Sequence, residues 1–326
     1  LQIILIFLFN LNVISCANLN NTIDGIGGNT ENAAPVNQQQ ENSTNSEEIA
    51  TLGSLYISVG GGGTIITSSD GTNWVKINSG TKDNLRAIAY GNNTLVIVGF
   101  SGNILTSRDG TKWTKRRSKT SKNLGSVTYG NDLFVAVGNS GTILTSSNGI
   151  EWNKSKFNSK QSLYGVAHGN NTFVAVGKRG AIFSSIDGLN WTKRKSRTSV
   201  EFNEVIYAKN SFLAFGFKGV IRTSSNGKSW SKIKSRTKKG LSGGISDGNT
   251  FLAVGYNGTL ISSVDTKSWK KRKSLSKANL RGITYGKGRF IMVGNNGTIL
   301  TSTNSNNWTR RKSRTTHHLR RVFYLD

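Results

Sequence analysis

Several things are scarce in this chain of 326 residues, and each scarcity narrows the possibilities. Cys16 is the only cysteine, so an intrachain disulfide is excluded and cysteine usage says nothing about the redox compartment. With one cysteine and three histidines (His168, His317 and His318) no metal-ligand set forms, and neither a metal nor a cofactor is expected. Long apolar runs are missing as well. Leu1–Cys16 is the longest such stretch, and it falls short of the roughly 20 residues that span a bilayer. Lys and Arg are absent from residues 1–52, which hold Asp24, Glu31, Glu41, Glu47 and Glu48. All 43 cationic residues therefore lie beyond position 52, against 11 acids. Proline occurs once, at Pro35.

Leu1–Cys16 has the character of the apolar core of a secretory signal. Val13-Ile14-Ser15-Cys16 resembles a bacterial lipobox, which implies an exported protein lipid-anchored through Cys16 in the cell envelope, or else a secreted one. Residues 17–52 are rich in Asn, Gln, Ser, Thr and Glu and carry few large apolar side chains, so they read as a disordered tether. The remainder, 53–326, combines abundant glycine with moderate hydrophobicity, as a turn-rich all-β domain does.

That domain is a repeat. All seven tryptophans, Trp74, Trp113, Trp152, Trp191, Trp230, Trp269 and Trp308, stand 39 residues apart without insertion or deletion. The unit Leu85–Asn123 contains four runs of strand character, Leu85–Tyr90, Thr94–Val98, Asn103–Ser107 and Lys112–Ser118, separated by Gly, Asn and Asp turns. Four short strands repeated radially make a propeller blade. The closing Leu319–Asp326 matches the first strand of a unit, whereas the body opens with strands two to four only. The expected fold is therefore all-β, a seven-bladed propeller closed by the C-terminal strand pairing into the N-terminal blade. This closure removes the open edges of a linear array. A competing filler for that slot, Glu48–Thr51, has only Ile49 as an apolar anchor. A monomer is expected.

Each tryptophan ends a phrase of the form Ser-x-Asp/Asn-Gly-x-x-Trp, with Asp70, Asp109, Asn148, Asp187, Asn226, Asp265 and Asn304 at its centre. The carboxylate or amide accepts backbone N–H groups in the turn, the glycine supplies a positive φ, and the indole covers the hairpin. Asp and Asn interchange freely here, which argues for structure over catalysis. Thr266 and Ser305 replace the glycine in two units, where looser turns are expected.

The phrase resembles the Asp-box, or bacterial neuraminidase repeat, and the preceding Val98-Gly99 to Ile104 adds to the likeness. Seven such blades behind a signal are similar to the photosystem II assembly-factor-like and sialidase-like propellers of bacteria. The likeness implies the fold over residues 53–326 and, more weakly, either a factor that holds a membrane protein during assembly or a glycan hydrolase. A hydrolase of that type would need an arginine cluster, a Tyr–Glu nucleophile pair and an acid/base Asp. The Phe-Arg-Ile-Pro signature is absent, and the body acids outside the turns form no spaced pair of glycosidase type. The column Tyr90, Tyr129, His168, Tyr207, Tyr285 and Tyr324 reads as core. No catalytic residue is assigned, and enzymatic activity is the least supported reading.

The basic columns carry the main functional expectation. The eight residues after each tryptophan hold 26 of the 43 cations and no acid. Lysines on outer strands discourage edge pairing, but mixed charge would serve that purpose equally well. An anionic partner is expected instead: a glycan or lipopolysaccharide, an acidic protein, a membrane or a nucleic acid. Its candidate contacts are Arg116, Arg117, Lys119, Lys178, Arg179, Arg194, Lys195, Arg197, Lys218, Lys234, Arg236, Arg272, Lys273, Arg311, Lys312 and Arg314. The turns between second and third strands share a face with the links between blades. Arg86, Tyr164, Asn203, Arg281, Arg320 and Arg321 should lie near the channel mouth on that face.

Overall fold

A computed structural model describes residues 53–326. The expected signal (1–16), tether (17–52) and lipidation at Cys16 lie outside the described residues.

Seven four-stranded antiparallel sheets are arranged as the blades of a propeller. Blade 1 combines Leu55–Gly60, Ile65–Ser68 and Val75–Ile77 with the C-terminal Leu319–Leu325. Blade 2 is Leu85–Gly91, Thr94–Gly99, Ile104–Ser107 and Thr114–Arg116; blade 3 is Leu124–Gly130, Leu133–Gly138, Ile143–Ser146 and Asn153–Lys154. Blade 4 is Leu163–Gly169, Thr172–Gly177, Ile182–Ser185 and Thr192–Lys193; blade 5 is Phe202–Ala208, Ser211–Gly216, Ile221–Ser224 and Ser231–Ile233. Blade 6 is Leu241–Ser246, Phe251–Gly255, Leu260–Ser263 and Lys270–Arg272; blade 7 is Leu280–Gly286, Arg289–Gly294, Ile299–Ser302 and Thr309–Arg311. The C-terminal strand closes the ring by pairing antiparallel with Leu55–Gly60, Tyr324 opposite Tyr56 and Val322 opposite Ser58.

The middle strands are apolar on both faces because both face a neighbouring blade. Val96, Val98 and Ile104 of blade 2 pack on Leu124, Val127, Phe134 and Trp152 of blade 3, and equivalent clusters fill the other blade interfaces. The fourth strand is shorter than the sequence suggests. In blade 2 it covers Thr114–Arg116 rather than Lys112–Ser118. The Lys112 N–H is claimed by Asp109 Oδ1 in the preceding turn (2.8 Å), and Ser118 leaves the ladder to donate its hydroxyl to Thr120 O (3.1 Å).

The seven tryptophan hairpins share one geometry. Each indole Nε1 donates to the carbonyl three residues earlier, at 2.8 to 3.3 Å. The central Asp or Asn accepts two successive backbone N–H groups, as Asp109 does from Thr111 and Lys112. Thr266 (φ 62) and Ser305 (φ 61) adopt the left-handed conformation of the glycines they replace, and both keep the indole bond. Those two turns are as tight as the rest. The hydrogen bonds to Asp265 and Asn304 and the indole contact outweigh the steric penalty of a left-handed L-residue, about 1–2 kcal/mol.

At the opposite end, the turn between the second and third strands docks on the link between blades. Phe100 N–H donates to Asn84 O (2.8 Å) and Lys178 N–H to Ser162 O (2.9 Å). The last glycine of this turn is present in all seven blades for a physical reason. A Cβ on Gly102 would lie 2.0 Å from Thr120 O of the link, and the φ of +69° is left-handed as well.

Candidate functional site

The innermost strand of every blade begins with a β-bulge. Pairing skips one residue between Leu85 and Ala87, and the same skip recurs in the other six blades. The skipped residues are Arg86, Gly125, Tyr164, Asn203, Ser242, Arg281 and Arg320, spaced by 39. A bulge frees a residue from the ladder and re-aims its side chain. Here all seven line one cavity of about 390 Å³, together with Glu201, Glu204, Phe217, Tyr256 and Arg321. It forms the channel mouth on the face that carries the blade links.

The next residue of each inner strand forms a second tier: Ala87, Ser126, Gly165, Glu204, Gly243, Gly282 and Arg321. Most are small, which leaves room for the two long side chains to meet. Arg321 Nη2 donates to Glu204 Oε2 across the channel, and this is the one ion pair among the described residues. Burial pushes the Glu204 carboxyl above its ordinary range, and the Arg321 charge pulls against that shift.

Arg86, Arg281 and Arg320 have no carboxylate within ion-pair distance. Arg281 lies over the Tyr256 ring, 4.8 Å from its centroid, and its Nε donates to Asn295 Oδ1 at 3.0 Å. Arg86 lies 5.6 Å from the Phe100 ring centroid. Burial, then the charges of Arg320, Arg281 and Arg321, bring the Arg86 guanidinium down to about 10. Burial and Arg281 lower Arg320 as well. Arg320 Nε and Ser242 Oγ are buried and find no hydrogen-bond partner within the protein. The result is a concave, aromatic-walled site with clustered guanidinium groups and unused donors, the chemistry that suits a carboxylate or another oxyanion.

Comparison with known proteins fits this architecture. Residues 86–204 match the DUF6242 beta propeller domain. No curated protein matches the chain. Among solved structures, one titled "YCF48 bound to D1 peptide" shares 18% identity with a TM-score of 0.63, covering 76% of this chain and 87% of that one. YCF48 from Cyanidioschyzon merolae shares 20% identity with a TM-score of 0.63, covering 77% and 92%. At these identities the likeness is one of fold.

Some ingredients of a sialidase-like centre are also present, since Tyr164 and Glu201 line the same mouth as the arginines. Burial, then the Glu201 charge, raise the Tyr164 hydroxyl, and no hydrogen bond between the two is found. No Asp lines the cavity to act as acid. Among the described residues no group of three or more His, Cys, Asp or Glu could hold a metal.

None of the sixteen candidate cations, thirteen from the basic columns and three from the turns, lines the mouth. Arg116, Arg194, Arg272 and Arg311 lie back on their own blades, each Nε donating to a Thr or Ser hydroxyl at 2.8 to 3.0 Å. Arg117, Lys195, Lys234, Lys273 and Lys312 are exposed just past the fourth strands. Lys119, Arg197, Arg236 and Arg314 occupy the links with φ of 53 to 57°. Lys178, Arg179 and Lys218 are exposed on the turns of the mouth face. Arg194, Lys195 and Arg197 line a second cavity between blades 4 and 5. The roles of Gly125 and Ser242 in the ring, and of Glu204 as the partner of Arg321, escape a reading by residue type. The 39-residue spacing was the signal that could have found them.

Proposed function

We propose that this chain is a non-enzymatic binding propeller that grips a carboxylate-bearing segment of a partner protein at its channel mouth, as an assembly or scaffold factor would. The crowding of Arg86, Arg281, Arg320 and Arg321 at a mouth with two carboxylates, of which only Glu204 is paired, carries this reading. Like charges held together in a partly dry cavity repel, and an arriving carboxylate relieves that repulsion while satisfying free donors. The similar solved propeller titled as bound to a peptide supports a peptide as the occupant. The cations of the links and outer strands add long-range attraction, and the apolar run ending at Cys16 supports action outside the cytoplasm.

The test is fluorescence anisotropy of a labelled acidic peptide with the full chain and with Arg86→Gln/Arg281→Gln. Loss of two charge-assisted contacts should weaken binding by at least about 10²-fold, at about 1.5–3 kcal/mol each. Equal affinity in the double variant, or no binding by the parent at physiological salt, would reject the mouth as the site.

A further inference from the structure

One blade interface breaks the apolar rule. The second residue of each third strand is Ile66, Leu105, Leu144, Phe183, Arg222, Ile261 or Leu300. Six are core residues of their interfaces. The exception, Arg222, is only 4% exposed yet has no acid within ion-pair distance. Its guanidinium is bonded to backbone carbonyls alone: Nε to Ser196 O (2.8 Å), Nη1 to Ile221 O (3.1 Å) and Nη2 to Arg197 O (3.1 Å). Ser196 and Arg197 form the link from blade 4 to blade 5, so a buried cation sits directly behind that link.

Arg197 of that link also lines the second cavity, about 420 Å³, with Lys193, Arg194 and Lys195 of blade 4 and Lys228 to Ser231 of blade 5; Arg222 stands behind the lining and reaches it through the Arg197 carbonyl. Five of its eight lining residues are cationic and none is acidic. Arg194 is fixed in place by its bond to Ser184 Oγ (2.8 Å), and Arg197, left-handed (φ 53°) like its counterparts in the other links, is in addition bonded through its carbonyl to Arg222. Trp230, half of the blade 5 hairpin motif, forms an apolar wall, and Ser229 and Ser231 add hydroxyls.

We infer that the notch between blades 4 and 5 is a specific site for a phosphate or sulfate ester, distinct from the channel mouth. A buried cation without a counter-charge is costly, and an external oxyanion offsets that cost. Guanidinium forks and ammonium groups converging on one concavity match a tetrahedral oxyanion better than a planar, singly charged carboxylate. The volume accommodates the ester with the sugar or lipid headgroup that bears it, being within the usual range for small-molecule sites. Diffuse attraction to the rim cannot account for Arg222. Blade 2 carries the same outer cations in Lys115, Arg116, Arg117 and Lys119 but has Leu105 at the buried position.

Isothermal titration of the full chain with glucose 6-phosphate and glucose 6-sulfate, and with phosphatidylcholine vesicles with and without phosphatidic acid, tests the inference. One site per chain is expected. Lys195→Glu/Arg197→Glu should weaken binding at least about 10²-fold, the loss of two charge-assisted contacts. Arg222→Leu, which restores the residue of blades 2, 3 and 7, should keep the fold and also weaken binding. Arg86→Gln/Arg281→Gln should leave it unchanged, which separates this site from the mouth. Binding to the sugar esters identifies a soluble ligand as sufficient; binding only to phosphatidic acid vesicles identifies a lipid headgroup. Absence of binding to every probe, or an equal loss from the matched blade 2 variant Arg117→Glu/Lys119→Glu, overturns the inference.

Discussion

Deleting Leu319–Asp326 would remove one whole strand of blade 1, the strand that closes the ring. It pairs with Leu55–Gly60 through six residue positions and buries Leu319, Val322 and Leu325 at 0 to 3% exposure. At about 1.5–3 kcal/mol for each buried aliphatic side chain, these three alone contribute about 5–9 kcal/mol. That is comparable to the whole stability of an ordinary domain, about 5–15 kcal/mol. The strand also faces blade 7 through Val322 and blade 2 through Leu325, so its loss opens two interfaces at once. The assay is urea unfolding followed by tryptophan fluorescence, with Trp74 and Trp113 packed in the two interfaces that the deletion opens. The truncated chain should unfold at much lower denaturant and aggregate through the exposed Leu55–Gly60 edge. Adding the eight-residue peptide should restore part of the loss. Val322→Ala, which keeps the strand, should cost only about 2 kcal/mol. An unchanged midpoint after truncation would refute the closure argument, because it would mean the ring is held without that strand.

Two further outcomes follow from local geometry. Gly102→Ala should destabilise by more than about 2 kcal/mol, since a left-handed alanine already costs about 1–2 and its Cβ meets Thr120 O at 2.0 Å; Gly80→Lys, at the equivalent of Lys119 with open space around it, should cost about 1, both read from denaturation midpoints. For acid stability, burial opposes ionisation of Asp109, but the N–H groups of Lys112 and Thr111 and the hydroxyls of Thr111 and Ser107 outweigh it and hold the carboxyl at about 2. Its contribution should be complete above about pH 4, the unfolded value, and disappear as pH falls toward 2; Asp109→Asn, copying Asn148, should flatten that part of the acid-unfolding curve.

The mouth and the notch owe their chemistry to different departures from the repeat. At the mouth, the bulge is common to all blades and the residues on it differ. In the notch, one residue of an otherwise apolar column is charged. Both depend on a frame that repeats strictly enough for a single exception to define a site. Under both proposals, the buried, carbonyl-bonded Arg222 and the partly dry arginines of the mouth are places where folding stability is given up for a concentrated positive field.

The sequence by itself determined the blade count, the strand order, the closure and the hairpin chemistry. A 39-residue period with invariant Trp and Gly is a local code, repeated seven times, and each copy specifies its own turns and its own apolar faces. It also pointed Arg86, Arg281 and Arg320 toward the mouth, because they share one column. Only the tertiary structure decided which charges act together. Glu204 and Arg321 are 117 residues apart and meet because the ring brings blade 5 opposite blade 1 across the channel. The outer cations, prominent in composition, divide into arginines tied to their own blades, exposed residues beside the fourth strands and link residues in left-handed turns. Arg222 is hidden inside a strand pattern until the blade 4 link is seen against it. Periodicity is written along the chain, whereas the field at a site sums over side chains that the closed ring brings together from distant blades.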